Sequence, residues 1–70
     1  MVGPDPSAIF GAKLRQRRRE VGMSQADLAK RMGTTQAYIS RAERGLENPP
    51  ILTCVAFALQ LGRTFKFDIT

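Results

Sequence analysis

Seventy residues make one small domain with a modest core, a size at which oligomerisation is a common source of added stability. There is no histidine, so the commonest general base and metal ligand is absent, and the single cysteine, Cys54, excludes an intrachain disulfide. Eleven Lys and Arg against six Asp and Glu leave a net charge of +5, crowded at Lys13, Arg15, Arg17, Arg18 and Arg19 and continued at Lys30, Arg31, Arg41 and Arg44, a pattern that points to a nucleic-acid partner.

In chain order, residues 1–5 read as a flexible tail without the basic start and apolar run of a signal peptide. A first helix is expected over about Pro6–Val21, capped by Asp5 or Ser7, with Ile9, Phe10, Leu14 and Val21 as its apolar face and Gly22 as its stop. A second starts at Ser24, with Asp27 three residues on as an approximate capping box, and ends at Met32–Gly33. Thr35 caps a third, about Gln36–Arg44, which Gly45 stops. "LENPP" is a loop, and a fourth helix spans Ile51–Leu61, with Gly62 after it. Its core stripe is read as Ile51, Cys54, Val55, Ala58 and Leu61, with Cys54 a small core residue rather than a nucleophile. The tail alternates Phe65, Phe67 and Ile69 with Lys66, Asp68 and Thr70, the period of a strand. The expected division is 1–5 tail, 6–62 helical domain, 63–70 strand.

The second and third helices are too short to be stable alone and are separated by a tight turn at Gly33. Leu28, Ala29 and Met32 on one, and Ile39 and Ala42 on the other, make facing apolar stripes, and Ala29 is small enough for close approach. Two such helices form a helix-turn-helix held by the outer pair. The second of the two is basic and begins with a polar face, Thr35, Gln36 and Ala37, which sets it apart from an ordinary helical hairpin. No carboxylate pair, phosphate-cradling glycine loop or metal-ligand cluster is evident, so neither an enzyme nor a cofactor is expected.

The stretch "FGAKLRQRRREVGMSQADLAKRMGTTQAYISRAERG", Phe10 to Gly45, resembles the Cro/C1-type (Xre) helix-turn-helix domain of lambdoid phage repressors and bacterial regulators, and the likeness continues through "ENPP" to Gly62. The resemblance implies a mainly α, four-helix, lambda-repressor-like domain that binds double-stranded DNA as a dimer. It implies base contacts from Thr35, Gln36, Ala37, Ser40 and Arg41, with Thr35 open to a phosphate instead. It makes Gln25 a phosphate contact that also buttresses the third helix, Arg44 a phosphate contact, and Arg15 and Arg19 further backbone contacts. Tyr38 either bonds a phosphate or covers the helix. Arg18 and Glu43 match the family's internal ion pair.

Two departures bear on assembly. Leu52, Ala56 and Leu59 are apolar where the family is usually polar, giving the fourth helix a second apolar stripe. The usual fifth helix is replaced by the strand, as in small antitoxins of the HipB kind. One symmetric dimer would use both, with Phe65, Phe67 and Ile69 pairing across the two-fold axis and packing on Leu52, Ala56 and Leu59. The expected function is a cytoplasmic, homodimeric transcriptional repressor on an inverted-repeat operator, with no membrane partner. The alternative is an antitoxin that neutralises a toxin protein and represses its own operon.

Overall fold

In the computed structural model, which describes residues 5–62, four helices follow one another: α1 (Pro6–Glu20), α2 (Gln25–Met32), α3 (Gln36–Glu43) and α4 (Ile51–Leu61). The strand expected over Phe65–Ile69 lies outside the described residues.

Local chemistry accounts for where the helices begin and end. Pro6 occupies the first turn of α1, where its missing N–H costs nothing. Asp5 is the N-cap, but its side chain makes no capping bond; its backbone carbonyl accepts from Ala8 and Ile9 instead. At α2 the Ser24 hydroxyl accepts from the Asp27 N–H while the Asp27 carboxylate accepts from the Ser24 N–H, a full capping box. Hydrogen bonds from the Ser24 N–H and the Ser24 side chain hold the Asp27 carboxyl below its ordinary range, helped by the charges of Arg31 and Lys30. The Thr35 hydroxyl accepts from the Tyr38 N–H and starts α3. The turn between α2 and α3 closes with Gly33 N–H on the Lys30 carbonyl and Thr34 N–H on the Ala29 carbonyl. That closure needs the left-handed backbone Gly33 adopts, φ 71°, which a side chain would strain.

Each helix contributes to one core: Leu14 from α1, Leu28 and Ala29 from α2, Ile39 and Ala42 from α3, Phe57 and Leu61 from α4. Phe10, Val21, Met23, Met32 and Tyr38 pack around it, and the Phe10 and Phe57 rings lie 5.9 Å apart. Ile9, expected on the α1 apolar face, is 43% exposed, and Gly11 takes the inward position ahead of Leu14 and Arg18. A Cβ on Gly11 would lie 2.7 Å from the Glu43 carbonyl oxygen and closer still to that of Ala42. The bare backbone therefore lets α1 lie against the end of α3.

The phase of α4 differs from its reading in the sequence. Phe57 is fully buried, with Leu61 beside it, whereas Ile51 is 76% exposed and Val55 48%. The large ring seats the helix, and the 3.6-residue period then carries Cys54 and Ala58 toward the core and turns Ile51 and Val55 away. Ile51, Val55, Leu59 and Leu52 consequently form one apolar arc open to solvent, with half-buried Ala56 at its edge. Among the described residues nothing covers this arc, as the second apolar stripe of the helix leads one to expect of a single small chain.

Candidate nucleic-acid interface

One arc of α3 is closed and the other open. Ile39, Ala42 and Glu43 are buried. At one-turn spacing around the opposite side, Gln36, Ala37, Arg41 and Arg44 are exposed and Ser40 is half-buried. Thr35 is exposed just ahead of the first turn. Tyr38 sits between the two arcs, half-buried against the core in a groove shared with Met32, Thr34, Leu52, Thr53 and Ala56. Burial pushes its phenol up, reinforced by the negative charge of Glu47.

Beneath the open arc lies a polar network. Arg18 reaches from α1 with a planar fork, donating from Nε and Nη2 to the two carboxylate oxygens of Glu43, and from Nη1 to the Met23 carbonyl at 2.8 Å. Both side chains are almost fully buried, so this bidentate arrangement answers the desolvation of two charges. Glu43 also accepts from Gln25 Nε2 at 3.1 Å. Burial alone would push the Glu43 carboxyl up; hydrogen bonds from Arg18 and Gln25 and the charges of Arg18 and Arg15 outweigh it and hold the group below its ordinary range. The Gln25 oxygen accepts from Gln36 Nε2 at 3.4 Å, so the amide at the head of α3 is linked through α2 to the buried pair.

A groove beside this network is lined by Arg15, Arg18, Arg19, Gln25, Ser40, Glu43 and Arg44. It gathers Arg15, Arg19, Gln25, Ser40 and Arg44, all candidate DNA contacts, from three helices onto one face. Arg44 lies along its own helix, its Nε donating to the Ser40 carbonyl at 3.4 Å. Arg41, further round the arc, donates from Nε to Glu47 at 2.7 Å. No pattern in the sequence signals that pair: six positions separate its members, and the loop that brings them together follows no helical period.

Leu52 and Leu59 of the candidate dimer surface are 78% and 72% exposed, whereas Ala56 turns toward the Tyr38 groove. Phe65, Phe67 and Ile69 lie outside the described residues. Among the described residues no group of histidine, cysteine and carboxylate side chains is arranged to hold a metal ion, and no helix is long and apolar enough to cross a membrane.

A helix-turn-helix family profile (HTH_3) matches residues 14–67. The chain belongs to the helix-turn-helix family of the Xre, Cro/C1 type. It is 36% identical over 58 residues to the uncharacterized HTH-type transcriptional regulator y4dJ of Sinorhizobium fredii, spanning 83% of this chain and 75% of that protein. It is also 36% identical over 56 residues to an uncharacterized HTH-type transcriptional regulator of Methanothermobacter thermautotrophicus, spanning 80% and 81%. Among solved structures, the restriction-modification controller protein C.AhdI from Aeromonas hydrophila superposes with a TM-score of 0.74 at 33% identity, over 79% of this chain and 80% of that one. The chain is thus a transcriptional regulator of the helix-turn-helix type, a family of DNA-binding proteins rather than enzymes.

Proposed function

We propose that this regulator is a sequence-specific repressor that binds an inverted-repeat operator as a homodimer, with the open arc of α3 in the major groove. The observation that carries the reading is the asymmetry of α3. One arc is packed into the core, while the other offers Gln36, Ala37, Ser40, Arg41 and Arg44 beside the basic groove of Arg15 and Arg19. Gln36 and Arg41 read bases, with Ala37, Ser40 and Thr35 completing the base-facing set. Arg15, Arg19, Arg44 and Gln25 hold phosphates and supply the salt-dependent share of the affinity. Tyr38 covers α3 rather than holding a phosphate, a role supported by its half-buried seat in the α4 groove. Arg18 belongs to the framework, because its donors are engaged by Glu43 and Met23.

The homodimer is supported by the arc of Ile51, Leu52, Val55 and Leu59, an apolar surface of the kind that marks an interaction site. In a symmetric pair this arc meets its own copy, and the two recognition helices stand about 34 Å apart, one turn of DNA. The resemblance to a restriction-modification controller favours a regulator of that class over the antitoxin alternative.

Binding-site selection from a random duplex pool tests the reading. The expected product is an inverted repeat, bound by a dimer in sedimentation and weakened strongly by Leu52→Asp with Leu59→Asp. A chain that stays monomeric at tens of micromolar, or a selected pool without symmetry, rejects the dimeric operator.

A further inference from the structure

The pairing of Arg41 with Glu47 engages only one edge of the guanidinium. Nε donates to Glu47 Oε2 at 2.7 Å, and among the described residues Nη1 and Nη2 have no hydrogen-bond acceptor. An arginine carries five N–H donors in a rigid plane. With the Nε side taken, the terminal Nη1–Nη2 edge is left to meet a ligand end-on, and two parallel N–H donors match guanine O6 and N7.

Glu47 is the better-anchored partner. Its side chain is 29% exposed against 51% for Arg41. The loop that carries it is tied at several points. Gly45 N–H donates to the Ala42 carbonyl at 3.1 Å, Leu46 N–H to the Arg41 carbonyl at 2.9 Å, and Ser7 Oγ to Asn48 Oδ1 at 3.4 Å. Gly45 also packs so closely on Ala8 that a Cβ there would lie 2.9 Å from the Ala8 Cα. The backbone that carries the carboxylate is therefore fixed, and the long arginine stem is the part that needs fixing. An arginine ordered before it meets DNA has less rotamer freedom to lose on binding.

We infer that Glu47 is a positioning residue for base reading: it holds Arg41 by Nε and presents the Nη1–Nη2 edge to one guanine in the major groove. The inference rests on α3 being the base-reading helix. The carboxylate also opposes contacts of Arg41 with phosphates, since any such contact brings two negative charges together. Its effect falls on the ratio of specific to non-specific binding.

The test compares the full chain with its Glu47→Ala, Glu47→Gln, Arg41→Ala and doubly substituted Arg41→Ala, Glu47→Ala forms. Affinities are measured for the duplex recovered by selection, for its single-base-pair variants and for a scrambled duplex. Glu47→Ala is expected to reduce discrimination at the base pair that depends on Arg41 by about tenfold, within the range of one bidentate contact, and to leave other positions unchanged. Glu47→Gln, which keeps an acceptor for Nε, retains most of that discrimination. In the Arg41→Ala background, removing Glu47 changes no base preference. A uniform gain in affinity for every duplex with unaltered preferences overturns the proposal, because Glu47 would then act only as a charge. A loss of discrimination that persists without Arg41 overturns it too, because Glu47 would then touch the DNA itself. If Arg41→Ala leaves all preferences intact, the assignment of Arg41 to base reading has failed and the proposal falls with it, an outcome distinguishable from failure of the Glu47 inference alone.

Discussion

Two arginine–glutamate pairs meet on α3, and they differ in everything except their chemistry. Glu43 faces inward and joins Arg18 of α1 through two hydrogen bonds, both side chains nearly out of water. Arg41 faces outward and joins Glu47 through one, with half of its side chain exposed. A buried pair cannot give up a partner cheaply, because the remaining charge has no water to return to. An exposed pair can, since solvent takes over at little net cost. The inner pair is therefore suited to fixing helices, and the outer one to aiming a guanidinium at DNA with little effect on the fold.

The largest effect should come from the inner pair. Glu43→Ala strands the Arg18 charge and is expected to cost about 3–5 kcal/mol, comparable with the whole stability of a domain this size. A urea titration should find it mostly unfolded. Gly11→Ala tests the same α1–α3 junction without touching charge. The added methyl meets the Ala42 and Glu43 carbonyls, and overpacking of this kind costs about 1–3 kcal/mol, read as an earlier melting transition. Ser24→Ala removes one half of the α2 capping box and should cost about 1 kcal/mol.

Acidification separates the pairs further. The Glu43 carboxyl is depressed in the folded state, so the unfolded chain takes up its proton first as pH falls. Its stabilising contribution is complete above the ordinary value of 4.5 and is lost as pH drops through the lower folded value. Asp27, depressed by hydrogen bonds from Ser24, acts in the same direction. Melting temperatures should fall below about pH 4.5, and Glu43→Gln should flatten that fall; an unchanged slope would remove Glu43 from the acid response. The smallest effect belongs to the outer pair: Glu47→Ala should shift stability by less than about 1 kcal/mol, and a larger loss in denaturant would erase the contrast between the pairs.

What was legible in the sequence follows the same division between local and distant causes. Ser24 with Asp27, Gly33 with Thr35, and the two prolines before Ile51 are signals a few residues long, and the helices begin and end where those signals stand. The facing stripes of α2 and α3 were legible because polar residues flank them and set their phase. In α4 no such contrast exists, since apolar residues occupy nearly every position, and only the seating of Phe57 decides which side is inner. Gly11 leaves no trace in a hydrophobic pattern, because its contribution is an absent side chain at a place where two distant segments touch. For the interface, the outward arc of α3 follows from helical spacing, whereas the tether on Arg41 depends on the path of the loop after Gly45.

The central claim is that the outward arc of α3 reads bases while its inward arc only supports them. Sequencing the duplexes that the unaltered chain and its Gln36→Ala and Arg41→Ala forms each select from one random pool tests it most directly, with melting temperatures measured alongside. The account predicts that both variants melt like the parent and that each relaxes preference at its own base pair, by about 1–3 kcal/mol. Identical selected sequences for all three proteins would contradict it.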